Sequence, residues 1–132
     1  NGKCPSKEHF HKIAENVLMK FPKLKVIFAH FYFLSSDLER LGLLLETYPH
    51  LYLDIAPGTE MFINFSKHLD KTREFFIRYQ DRILYARDYF DNRHQQLLNS
   101  FGLPRAVLEK IYFRNALKLV PEEKGLGKRK KR

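Results

Sequence analysis

The sequence predicts an α/β fold made of a repeated helix–strand unit, and three observations carry that prediction. Three short apolar runs recur: Lys25–Ala29, Leu51–Ile55 and Arg82–Ala86. Each follows a stretch with helical periodicity, and a short sequence echo marks each junction. An ionisable residue stands just after or at the end of every run: His30, Asp54 and Asp88.

The echo fixes the corners. Phe21-Pro22-Lys23-Leu24-Lys25-Val26 resembles Tyr48-Pro49-His50-Leu51-Tyr52-Leu53, and a looser copy follows at Tyr79-Gln80-Asp81-Arg82-Ile83-Leu84. Proline ends a helix because it lacks the N–H and pushes its predecessor out of the helical region. The runs are apolar on both faces, which suits parallel strands covered by helices.

The helices have recognisable starts. Ser6 can cap a helix burying Phe10, Ile13, Ala14, Val17 and Leu18. Ser36 and Glu39 have capping-box spacing ahead of Leu38, Leu41, Leu44, Leu45 and Tyr48. A third helix is expected over Lys67–Tyr79, burying Leu69, Phe75, Phe76 and Tyr79. Pro104 suits the first turn of a last helix reaching Val120, with Val107, Leu108, Ile111 and Leu119 inward. The order α-β-α-β-α-β-α fits either a (β/α)8 barrel or an open doubly wound sheet. A barrel needs about 250 residues, so three strands would be only a portion of one.

At 132 residues the chain holds one domain, residues 1–120, followed by a basic tail at 121–132 that reads as disordered. The net charge is +9, but Lys124, Lys128, Arg129, Lys130, Lys131 and Arg132 supply much of it. The excess therefore belongs to the tail, and a nucleic-acid contact is expected only through Lys128–Arg132. Such a basic binding module is one alternative reading, and it would show steep salt dependence. No apolar run approaches the roughly 18 residues that span a bilayer. A single cysteine, Cys4, cannot form an internal disulfide, so a reducing, cytoplasmic compartment is expected. The first residue is Asn1 rather than Met, which suggests a fragment.

In parallel α/β folds function collects beyond the C-terminal strand ends. His30 and Asp88 are therefore the candidate catalytic and metal-binding residues, since histidine and carboxylate on one rim can share a divalent ion or move protons around a bound water. Asp54 and Glu60 are weaker candidates on the loop facing substrate, and Asp54 can equally hold the Pro57-Gly58-Thr59 loop by side-chain hydrogen bonds. His9 and His11 imitate a His-x-His metal pair, but residues two apart on a helix face different sides, so both read as solvated. His50, His68 and His94 read as surface residues.

Four segments resemble the amidohydrolase-related family of metal-dependent TIM-barrel hydrolases and decarboxylases. Phe21-Pro22-Lys23-Leu24-Lys25-Val26-Ile27-Phe28-Ala29-His30 looks like its sixth-strand segment, and Tyr48-Pro49-His50-Leu51-Tyr52-Leu53-Asp54 its seventh. Asp81-Arg82-Ile83-Leu84-Tyr85-Ala86-Arg87-Asp88-Tyr89 is similar to the eighth. Ile111-Tyr112-Phe113-Arg114-Asn115-Ala116 resembles the Asn-Ala terminal helix. The resemblance implies the C-terminal portion of a (β/α)8 TIM barrel. It also implies a mononuclear divalent metal, commonly zinc, on the strand ends, and a small-molecule substrate. Asp88 would be a metal ligand and the proton acceptor from the attacking water, with His30 beside the metal. The remaining ligands would come from a His-x-His pair on strand one and a histidine on strand five, both before Asn1. The implied reaction is hydrolysis of a C–N or C–O bond, or decarboxylation.

One departure stands out. Where the family has Gly followed by Thr or Ser before the aspartate, this chain has Ala86-Arg87. With the missing ligands it favours a second reading, a catalytically incomplete fragment or pseudoenzyme. Unpaired strand edges in a partial barrel further predict self-association into a homo-oligomer.

Overall fold

A computed structural model describes residues 4–56, 58–88 and 92–120. Helix α1 (Lys7–Lys20) leads into strand β1 (Val26–Phe28), and α2 (Leu38–Thr47) leads into β2 (Leu51–Asp54). Two helices, α3 (Thr59–Lys67) and α4 (Leu69–Arg78), precede β3 (Ile83–Leu84). Then come α5 (Arg93–Ser100), α6 (Arg105–Glu109), a π-turn (Lys110–Arg114) and α7 (Asn115–Leu119). The three strands form one parallel sheet in the order β1-β2-β3. The basic tail, with Lys128–Arg132, lies outside the described residues.

The sequence echo is a structural repeat down to its hydrogen bonds. Phe21, Tyr48 and Tyr79 are the C-caps of α1, α2 and α4. Their N–H groups donate to Val17, Leu44 and Phe75 carbonyls, each at 2.9 Å. Each cap carbonyl then accepts from the residue three on: Leu24 at 2.9 Å, Leu51 at 3.0 Å and Arg82 at 2.8 Å. The strands are staggered relative to the echo. Val26 is echoed by Leu53 but sits beside Leu51, and Leu53 is echoed by Leu84 but sits beside Ile83.

Arg82 ties the corners together. Its guanidinium donates to the carbonyl of Tyr48 at 2.6 Å and, through Nε, to that of Leu51 at 2.7 Å, with Leu45 at 3.5 Å. It also lies 5.1 Å from the Tyr52 ring. At the other end of the chain, Asn115 is 1% exposed and donates through Nδ2 to the carbonyls of Gln80 (2.7 Å) and Ile83 (2.8 Å). The π-turn explains how the last helix meets the sheet. Asn115 N–H reaches back five residues to Lys110, and the Ile111 carbonyl accepts from Tyr85 N–H at 2.8 Å, just past β3.

The core is aromatic. Phe31, Phe65 and Phe76 are essentially inaccessible, and Phe31 lies 5.1–5.6 Å from the rings of Phe65, Phe75 and Phe76. Each such burial contributes about 1.5–3 kcal/mol.

Several expectations are corrected. The capping box at Ser36 does not form; α2 starts one residue later, at Leu38, so the N-cap is Asp37, whose carboxylate accepts from Arg40 N–H at 3.0 Å. The helix expected over Lys67–Tyr79 breaks at His68, whose φ of −137° is not helical, and Leu69 is exposed. The strands are shorter than Lys25–Ala29, Leu51–Ile55 and Arg82–Ala86. Phe10, Ile13 and Val17 are exposed, together with Phe21, Leu24 and Ile27. They leave an apolar surface beside β1, which pairs on one side only among the described residues. No described helix is long and apolar enough to cross a membrane.

Candidate active site

β1 stops abruptly. Phe28 has extended backbone, but His30, Phe31, Tyr32 and Phe33 all take φ near +54 to +56°. One left-handed turn of four non-glycine residues costs on the order of 1–2 kcal/mol per residue. Packing offsets it. Phe31 drops into the aromatic core, and Tyr32 stacks on Phe28 at 4.2 Å.

Helix α1 clamps the same turn. His11 is 3% exposed, contrary to its reading as a solvated residue. Its Nε2 lies 3.0 Å from the Tyr32 carbonyl, and the Tyr32 hydroxyl donates to the His11 carbonyl at 3.0 Å. Burial, reinforced by the nearby Glu15 charge, pushes the Tyr32 hydroxyl up to about 12. His9 is exposed, as helix geometry requires of its neighbour-but-one. His94 also departs from expectation: it is 4% exposed and packs on the Phe62 ring at 4.9 Å. His68 is exposed and His50 partly so.

The turn carries His30 to the rim, and the three strand-end residues meet there. His30 Nε2 lies 3.6 Å from Asp88 Oδ2, with both side chains partly accessible. His30 N–H donates to Asp54 Oδ1 at 3.0 Å, and the same oxygen accepts from Ala56 N–H at 3.0 Å. His30 Nδ1 is 3.2 Å from the Ala56 carbonyl. A carbonyl only accepts, so Nδ1 carries a proton; in the neutral form of the ring the lone pair is therefore on Nε2, the nitrogen nearer Asp88.

Glu60 is not in this cluster. It is exposed in the first turn of α3 and lines a neighbouring groove of about 880 Å³ with Phe10, Phe28, Tyr32 and Phe33. Arg87 is exposed.

A polar cluster at the C-terminal ends of parallel strands agrees with the match of residues 5–121 to the amidohydrolase family model. The chain belongs to the amidohydrolase family. No curated protein and no solved structure matches it. Amidohydrolases as a family typically use divalent metals. His30 Nε2 and Asp88 Oδ2 fit two corners of such a site, because ligands on a tetrahedral zinc stand about 3.3 Å apart and the Nε2 lone pair is available. Among the described residues, however, no group of three His, Cys, Asp or Glu is placed to hold a metal ion. Asp54 is turned to backbone N–H groups instead.

Sequence reasoning named the rim residues but missed what holds them. Nothing in Ala29-His30-Phe31-Tyr32-Phe33 signals a left-handed turn, since glycine and asparagine are both missing from it. His11 had a signal: it lies three and seven residues before Ala14 and Leu18, which pack inward on α1.

Proposed function

We propose that the chain carries the C-terminal strands of a (β/α)8 barrel in an amidohydrolase-family enzyme, with His30 and Asp88 beside a divalent metal, zinc by resemblance. The single observation behind this reading is the 3.6 Å approach of His30 Nε2 to Asp88 Oδ2 from two different strand ends. The barrel draws support from the stagger of successive strands, since closing a sheet requires strands to step along one another. It draws support also from the exposed apolar face of α1 beside the β1 edge. A right-handed crossover would lay another parallel strand there, under Phe10, Ile13 and Val17.

A bound divalent ion would lower the pKa of a coordinated water to near neutrality. Asp88 is placed to hold the ion and to take up the proton released by the attacking water. His30, locked with Nδ1–H on Ala56, accepts a hydrogen bond at Nε2 when neutral and donates one when protonated. The substrate is a small molecule cleaved at a C–N or C–O bond, with decarboxylation as the related reaction.

Titration with a paramagnetic divalent ion, followed by NMR, tests the site without turnover. Broadening should concentrate on the His30 ring and the residues beside Asp88, and Asp88→Ala should abolish it. Uniform broadening, or broadening unaffected by Asp88→Ala, would sink the proposal. The second reading, a catalytically incomplete chain, is favoured by the lack of a three-ligand group among the described residues. Weak, site-localised broadening by the chain, without catalytic turnover, is its expected signature.

A further inference from the structure

The most informative group at the rim is the one that does not face the opening. Asp54 is the last residue of β2, and one carboxylate oxygen, Oδ1, holds two backbone N–H groups. Both would otherwise be difficult to satisfy. His30 has left the strand conformation, so its N–H cannot continue the β1–β2 ladder. Ala56 is 3% exposed, with little water within reach. An unsatisfied buried donor is costly, and a carboxylate forms stronger hydrogen bonds to N–H than a neutral acceptor does.

The bonds close a ring of contacts. Asp54 Oδ1 holds the His30 backbone and the Ala56 N–H, and the Ala56 carbonyl receives the His30 Nδ1 proton. We infer that Asp54 is a positioning residue that fixes the tautomer and orientation of His30 through Ala56. The carboxylate thereby commits the ring to Nδ1–H and keeps Nε2 open towards Asp88. A histidine side chain free in water prefers the opposite tautomer, with the proton on Nε2. The importance of this for catalysis rests on the proposed role of His30, whereas the tautomer can be read without metal, substrate or turnover.

Long-range ¹⁵N–¹H NMR of the ¹⁵N-labelled chain gives the test. In the unsubstituted protein the neutral His30 ring should be almost wholly Nδ1–H. Asp54→Ala should reduce that form to a minority, whereas Asp54→Asn, which retains an oxygen acceptor, should largely preserve it. Asp37→Ala removes a comparable carboxylate bond from the N-cap of α2 and should leave the His30 tautomer unchanged. A His30 ring that stays Nδ1–H in Asp54→Ala would overturn the inference, as would an equal shift in Asp37→Ala. Should Asp54→Ala not fold, the unsubstituted chain decides: the amide nitrogens of both His30 and Ala56 should show through-hydrogen-bond NMR couplings to the Asp54 carboxyl carbon, and the absence of either coupling would reject the assignment.

Discussion

His11 and Tyr32 hold each other by reciprocal hydrogen bonds, each supplying a side-chain donor to the other's carbonyl at 3.0 Å. Their rings also lie 4.4 Å apart. Helix α1 is thereby fastened to the left-handed turn. His11→Phe keeps the ring volume but leaves the Tyr32 carbonyl buried without its partner, which should cost about 1–3 kcal/mol. Tyr32→Phe should cost about 1 kcal/mol, and the double variant less than the sum. Urea unfolding of the three variants checks this. A neutral His11→Phe would show the clamp to be incidental.

Arg82 should be the most sensitive polar residue in the fold. Its guanidinium serves carbonyls at the end of α2 and the start of β2 at once. Burial lowers its pKa from the usual guanidinium value, but not enough to discharge it near neutral pH. Arg82→Ala should remove about 3 kcal/mol or more. Arg82→Lys should rescue little, because an ammonium cannot reproduce the planar fork. Chemical denaturation provides the measurement, and a full rescue by lysine would refute the geometric argument.

Acid should weaken the folded chain through four named carboxyl groups. Arg40 holds Glu8 below its ordinary value, the Tyr79 hydroxyl and Arg78 hold Glu46, Lys110 and Lys118 hold Asp81, and Arg114 with Arg105 hold Glu109. Each is depressed in the folded state, so the unfolded chain protonates first as pH falls. The stabilisation is complete above the ordinary carboxyl values of 4.5 for Glu and 3.8 for Asp and disappears as pH drops through the folded ones. Urea midpoints at neutral pH and at pH values below about 4 should differ accordingly. The difference should shrink in Asp81→Asn. An unchanged pH dependence in that variant would exclude Asp81 as a contributor.

The edge of β1 should drive self-association. Ile27 is 48% exposed on that strand, next to the uncovered apolar face of α1. Light scattering after size exclusion should find dimers or larger species, and Ile27→Lys, which places a charge on an edge strand, should shift them towards monomer. A monodisperse monomer at high concentration would contradict the expectation.

What could be read from sequence was what repeats or caps. The aromatic-proline corners at Phe21 and Tyr48 gave the helix ends and strand starts, and Tyr79 extended the pattern without a proline. The rim residues followed from counting along the strands. Features set by tertiary contact were not legible. Phe31 and Tyr32 adopt the left-handed region because the core rewards them with burial, and no local propensity anticipates that. His11 and His94 looked like surface polar residues until a carbonyl and an aromatic ring were found beside them. Asp37 displaced Ser36 as a cap by one position, a distinction that local sequence rules resolve poorly.

The turn from His30 to Phe33 also sets the order in which the molecule can come loose. Its residues would gain backbone freedom on opening, so the free energy holding them is reduced by the strain they carry. Amide protons from His30 to Leu34 should therefore exchange with solvent sooner than those of the sheet. A mutation that thins the phenylalanine cluster would be felt at the rim before the strands gave way.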